Sequence, residues 1–137
     1  MKISILLPYK ENFSSIYAGA VSLFIRDMVK LSVFKNHITI YGNTTLKKIF
    51  KLRYKNINLK KNIVQSGSKL YVSEFLKHEK ENPSDLIEIH NRPNYFHMIN
   101  KSFLKSNLVL YFHNDPLTMT GSRSIKERKF ILDNATK

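Results

Sequence analysis

Solid apolar runs alternate along this chain with apolar stripes spaced three and four residues apart. The runs Ile3 to Leu7, Ile38 to Tyr41, Leu86 to Ile89 and Leu108 to Phe112 are closed by Pro, Gly, Asn or Asp nearby. Such runs read as strands buried on both faces of a sheet. A further short strand is expected near Tyr54 to Leu59 or Asn62 to Val64. The first stripe carries Val21, Phe24, Ile25, Met28, Val29 and Leu31, an amphipathic helix opening near Gly19. A second helix opens at Ser66-Gly67-Ser68, turns Tyr71, Val72, Phe75 and Leu76 inward, and stops at Asn82-Pro83. A third follows Pro93 with Phe96, Ile99 and Phe103. A fourth starts at Ser124, where Ser124 and Glu127 fit a capping box, and carries Ile125, Phe130, Ile131 and Leu132. Leu46 to Lys61 has only weak helical spacing, at Leu46, Ile49 and Phe50. Another strand is expected to begin at Asn134 to Lys137.

Strands alternating with helices imply a parallel sheet, an α/β Rossmann-like three-layer domain. With the fourth strand beside the first, the order reverses between the loop from Pro8 to Gly19 and the loop after His90. Open α/β sheets bind ligands at that kind of position. Two apolar runs end there in the same pair, His90-Asn91-Arg92-Pro93 and His113-Asn114-Asp115-Pro116. Topology and polar residues therefore point to one edge.

The length, 137 residues, suits a single domain with a substantial core. Without cysteine the chain has neither disulfides nor thiolate metal ligands. Met1-Lys2 followed by Ile3 to Leu7 is too short and too soon closed by Pro8 for a signal peptide. No run approaches the length of a membrane span. A cytoplasmic protein is expected, peripheral at the inner face of the membrane if it touches lipid. The net charge of +13 calls for an anionic partner, whether nucleic acid, membrane surface or phosphorylated substrate. Abundant Lys, Asn and Ile also fit AT-rich coding, so charge alone selects no partner. Its densest stretch, with Lys47, Lys48, Lys51, Arg53, Lys55, Lys60 and Lys61 around Leu46, Ile49, Phe50 and Leu52, suits an anionic bilayer or simply a solvated surface. No nucleic-acid-binding module is recognisable, so nucleic acid is not the expected partner.

His113 has the titration range of a general base, a hydrogen-bond donor or a polariser of a sugar hydroxyl. It also fits a histidine satisfied by backbone at a strand end, although Asn114 and Asp115 crowd more polar groups there than that role needs. His90, Asn91 and Arg92 repeat the argument, Arg92 offering a fork for phosphate or carboxylate. Gly19, at the start of the first helix, lets phosphates approach backbone N–H groups, and equally fits a plain helix-start residue. A metal set of His90, His113 and Asp115 is conceivable on adjacent strands, but other ligand spacing is missing, so no metal and no cofactor is expected. His37, His78 and His97 sit at a turn or on helices and read as structural. Nucleophile elbow, Walker loop and zincin helix are all absent.

Through Pro83 to Pro93, Tyr111 to Met119, and Gly121-Ser122-Arg123-Ser124 with Glu127-Arg128, the chain resembles the amino-terminal domain of family-4-type glycosyltransferases. These enzymes pair two Rossmann-like domains in the GT-B fold, and the likeness is to bacterial ones that build lipopolysaccharide core or surface polysaccharide. The resemblance implies that residues 1–137 form an acceptor-side domain, with a carboxy-terminal domain or separate subunit holding most of the nucleotide sugar. It implies Gly19 at the donor diphosphate, where the family has Gly-Gly and this chain has Ala18-Gly19. It implies His113 facing the reacting sugars, and His90, Asn91 and Arg92, with Asn114 and Asp115, lining the side of a glycan or glycolipid acceptor. Such a half-cleft should bind donor weakly and should not turn over alone. The rival expectation is a non-enzymatic basic module that docks on nucleic acid or an anionic membrane, and a third is a small metal-dependent hydrolase.

Overall fold

In a computed structural model, residues 1–59, 66–102 and 105–136 are described. The order along the chain is β1 (Ile3–Leu6), α1 (Ala20–Leu31), β2 (Ile38–Gly42), β3 (Tyr54–Asn56), α2 (Gly67–Glu81), β4 (Leu86–His90), α3 (Pro93–Asn100), β5 (Asn107–Tyr111) and α4 (Ile125–Asn134). The five strands form one sheet in the order β3-β2-β1-β4-β5 with every pairing parallel. The chain winds outward from β1 through β2 to β3, then returns to the other side of β1 for β4 and β5. All five carboxyl ends therefore share one edge, and the order reverses between β1 and β4.

Period-two alternation splits the core into two layers around the sheet. Ile3, Ile5 and Leu7, with Ile38 and Ile40, pack under Val21, Ile25 and Val29 of α1 and under Phe13. Leu6, Tyr41, Ile87, Ile89 and Leu108 face Tyr71, Val72 and Phe75 of α2, Tyr95, Phe96 and Ile99 of α3, and Ile131 of α4. The result is three layers, α1 on one face and α2, α3 and α4 on the other. The capping box forms as expected, Ser124 Oγ accepting from Glu127 N while Glu127 accepts from Ser124 N.

Several expectations need correcting. Leu31 is 87% exposed and Phe24 is 44% exposed, so the inner face of α1 is narrower than its apolar stripe. Ile125 and Leu132 of α4 likewise point outward, leaving Ile131 as that helix's buried anchor. Residues 46–59 hold no helix; Ile49, Phe50 and Leu52 lie on the α1-side core in an extended segment, and Ile49 bridges Ser14. The short strand is Tyr54–Asn56. The alternative at Asn62 to Val64 lies outside the described residues, as do Lys60, Lys61 and Phe103. After α4 the chain returns to the sheet, Thr136 N donating to Leu108 O at 2.8 Å, where a further strand is expected to begin.

Two local devices hold the carboxyl edge. Tyr71, fully buried, donates its hydroxyl toward Leu7 O (3.0 Å) and Tyr41 O (3.2 Å), which fastens α2 to the ends of β1 and β2. Burial pushes its phenol well above the ordinary tyrosine range. Gly121 has φ of +96°, and an added Cβ would lie 2.5 Å from Asn94 N and 2.8 Å from Asn94 Cα. The contact is with backbone at the start of α3, which cannot swing aside, and the left-handed conformation disfavours any side chain. Gly121→Ala is expected to destabilise the domain by about 2–3 kcal/mol. Urea unfolding measures this, and a loss below about 0.5 kcal/mol would show the loop free to move.

Candidate functional site

The site grows from a register match. Parallel pairing sets His90 opposite Tyr111, so residues two apart on β4 and β5 share the α1-side face: Glu88 and His90 on one strand, Val109 and Tyr111 on the other. The His90 ring is fully buried and stacks on Tyr111 with centroids 4.8 Å apart and planes 7° from parallel. β5 ends at Tyr111, one residue short of the apolar run, and the turn beyond it carries His113 back over the strand end. There His113 Nε2 lies 3.0 Å from His90 Nδ1. The edge of Phe24 on α1 closes against His113, centroids 5.0 Å apart.

Asn91 ties the two strand ends together. Its N–H donates to Tyr111 O (2.8 Å) and its Oδ1 accepts from His113 N (3.3 Å). The backbone at Asn91 is left-handed, φ 57°, a conformation asparagine accepts more readily than most residues. Arg92, half-buried, donates from Nη1 to Asn91 O (2.8 Å), and Pro93 then starts α3. Asn91, Arg92 and Tyr95 line an open cleft of about 330 Å³ together with Ser68 and Thr120. A second cleft of about 390 Å³, with Tyr9, Lys10, Asn12 and Asn43 on its walls, opens at the ends of β1 and β2.

The remaining candidates divide. Asn114 is exposed beside His113. Asp115 caps the short turn Pro116–Thr118, its Oδ1 accepting from Leu117 N at 2.9 Å. With Asp115 so engaged, the metal set of His90, His113 and Asp115 does not assemble; among the described residues no three His, Asp or Glu side chains stand together as metal ligands. Gly19 precedes α1 as its cap, but the negative group at that helix end belongs to the chain: Glu11 Oε1 accepts from Ser22 N at 3.1 Å. An added Cβ on Gly19 would fall 1.9 Å from that same oxygen, so the glycine makes room for Glu11. A phosphate approaching there would have to displace the carboxylate.

The described basic residues of the stretch from Leu46 take different places. Lys51 and Arg53 line a groove of about 470 Å³ with Lys30, Lys35 and Asn36, at the amino-terminal edge of the sheet, opposite the histidines. Lys47 and Lys48 are exposed on the loop leaving β2, and Lys55 sits over the Tyr41 ring on the α2 side.

Sequence reasoning passed over Glu88, Tyr111, Phe24 and Glu11 as site residues. Glu88 left a signal, an acid inside an apolar strand two positions before His90 and so on the same face. Its Oε2 lies 3.6 Å from His90 Nε2, and both atoms are buried without a hydrogen-bond partner. Partial burial, chiefly, holds the His113 imidazole below the usual histidine range; positive charge on His90 would lower it further, and Glu11 pulls the other way. Burial and the Glu88 carboxylate together raise the Tyr111 phenol. The edge thus offers an imidazole held below the usual histidine range, amide groups and, at Arg92 and Lys10, positive charge.

Comparison with protein-family models, with curated proteins and with solved structures finds no match for this sequence. Fold and site define the chain as an α/β domain of Rossmann-like topology with its polar groups gathered at the switch point. Among the described residues no helix is long and apolar enough to cross a membrane.

Proposed function

We propose that this chain is the acceptor-side domain of a glycosyltransferase of GT-B type, which moves a sugar from a nucleotide-diphosphate donor to a glycan or lipopolysaccharide-type acceptor. The observation that carries the reading is the pairing of His90 and His113, 3.0 Å apart at the carboxyl edge beside the β1–β4 reversal. His113 is the group set to take a hydroxyl proton, and Arg92, Asn91 and Asn114 stand where an acceptor would be held. Both clefts at this edge, one of them lined by Asn91 and Arg92, are open to solvent, so the edge makes half of an enclosure. The donor-binding half belongs to a further domain, on this chain or another. Closing the two would exclude water and strengthen contacts to the departing diphosphate. Glu11 at the start of α1 opposes a diphosphate there and so favours weak donor binding by this half alone.

Calorimetric titration of these 137 residues with a nucleotide sugar is therefore expected to give little or no heat. Binding tighter than about 10 μM, roughly −7 kcal/mol, would overturn the half-cleft reading.

The groove of Lys30, Lys35, Lys51 and Arg53 favours a second reading, a basic module that docks on an anionic membrane or nucleic acid. It lies away from the histidines, so the two readings separate cleanly. Association with anionic vesicles or duplex DNA that falls steeply with salt and is unchanged by His113→Ala would favour the basic module.

A further inference from the structure

Two buried atoms at the site have no hydrogen-bond partner, Glu88 Oε2 and His90 Nε2, and they face one another at 3.6 Å. Buried polar atoms are rarely left so, and each left unmet costs on the order of 1–3 kcal/mol. The separation exceeds a hydrogen bond and lies within ion-pair range. At its other nitrogen His90 meets His113 at 3.0 Å, a true hydrogen-bond distance. Carboxylate, imidazole and imidazole thus run in line from the sheet's interior to its carboxyl edge. The order is Glu88, which is mostly buried, His90, which is fully buried, and His113, which is exposed.

We propose that Glu88 and His90 are positioning residues that fix the proton on His113 and so make it a base at the carboxyl edge. The proposal rests on the reading of His113 as the site's reactive group and supplies what holds it ready. Hydrogen-bond bookkeeping gives the direction. An ionised Glu88 only accepts, so His90 carries its proton on Nε2, toward the carboxylate. Its Nδ1 is then an acceptor, and the bond to His113 requires the proton on His113 Nε2. The remaining nitrogen, His113 Nδ1, keeps a free lone pair. When an acceptor hydroxyl gives up its proton, the O–H electron pair stays on oxygen and the proton joins Nδ1. The imidazolium so formed is stabilised through His90 by the Glu88 charge, without further proton movement.

The other groups around this line do not disturb that direction. Tyr111 stacks on His90 through its ring, Phe24 covers both imidazoles, and Asn91 accepts from the His113 backbone rather than from its ring. Glu11 adds negative charge near His113 and acts in the same sense as Glu88.

Long-range ¹H–¹⁵N correlation of the imidazoles, recorded without any sugar, reads each tautomer directly. The expected wild-type result is Nε2–H on both His90 and His113. In Glu88→Gln the charge is lost and the amide can either accept from or donate to His90 Nε2, so a share of Nδ1–H is expected to appear on both histidines, and the His113 titration midpoint should fall. His90→Phe cuts the line, and adding Glu88→Gln to it should then leave His113 unchanged. A wild-type His113 protonated on Nδ1, or a His113 titration midpoint indifferent to Glu88→Gln, would overturn the proposal; the wild-type spectrum decides even if a variant does not fold. Because no ligand is involved, a failed relay leaves the transferase reading standing, and failed glycan binding leaves the relay standing.

Discussion

His113→Ala is expected to lower the turnover of a complete transferase, one in which this domain is closed against its donor-binding half, by about 10²- to 10⁴-fold. The acceptor KM should change little, since the loss falls on a group that matters in the transition state more than in binding. The sign of the pH dependence follows from the site. The folded His113 pKa is depressed, chiefly by partial burial, so the ring stays neutral below the usual histidine midpoint. Activity should persist as pH falls through the range where a free histidine titrates, and then drop as the depressed pKa is crossed. The alanine variant should lack that acid limb. Initial rates across a pH series measure both effects, and a loss under about 3-fold, or an acid limb intact in His113→Ala, would remove His113 from the chemistry. The same depression makes the fold itself lose stability as pH falls below the unfolded histidine pKa, because the unfolded chain binds that proton more readily.

Glu79→Ala is expected to destabilise the domain by about 3 kcal/mol. Glu79 is fully buried at the amino-terminal end of the sheet, and its carboxylate is the hub of a small network. Oε1 accepts from Ser4 Oγ at 2.6 Å and from Ser84 Oγ at 3.2 Å, and Oε2 accepts from Ser84 N at 2.9 Å. These bonds stitch α2 to β1 and to the start of β4, so they set the height at which β4 runs beside β1. Alanine leaves the Ser84 N–H and one of the two buried hydroxyls without an acceptor, since Ser4 Oγ and Ser84 Oγ, 2.6 Å apart, can still pair with each other, and it opens a cavity besides. Glu79→Gln keeps one acceptor and opposes the Ser84 N–H with an amide, so about half the loss is expected. Urea unfolding of the two variants provides the comparison. A loss below about 1 kcal/mol for alanine would mean that water or movement of the serines relieves the network.

The parts of the fold legible in the sequence are those where burial is uniform. Ile3 to Leu7 is apolar but for Ser4 because β1 is covered on both faces, as the crossover helices of a parallel sheet require. Leu108 to Phe112 is as apolar in sequence, although β5 is an edge strand with Tyr111 and Phe112 partly exposed. The reversal at β1 is implied by strand and helix order, which places His90 and His113 on one edge. What was hidden depends on contacts far apart in the chain. Phe24 has the spacing of a core residue, yet its place on the shoulder of α1 lets it close over His113 instead. Ile49, Phe50 and Leu52 show no period because the segment is neither helix nor strand and simply lies across the α1-side core. Gly19 looked like a phosphate-loop residue; the partner that occupies the space beside it, Glu11, is eight positions upstream and gives no local sign. The basic residues form a run in sequence, but the turn into β3 sends Lys55 to one face and Arg53 to a groove at the opposite edge from the histidines.

Central to the account is that the carboxyl edge, and not the basic groove, holds the ligand. Backbone ¹⁵N–¹H shift mapping with a lipopolysaccharide-core oligosaccharide at millimolar concentration tests this most directly. The account predicts weak binding whose shifts gather at Asn91, Arg92, His113 and Asn114 and are lost in His113→Ala. Shifts confined to Lys30, Lys35, Lys51 and Arg53, or none at the carboxyl edge, would contradict it.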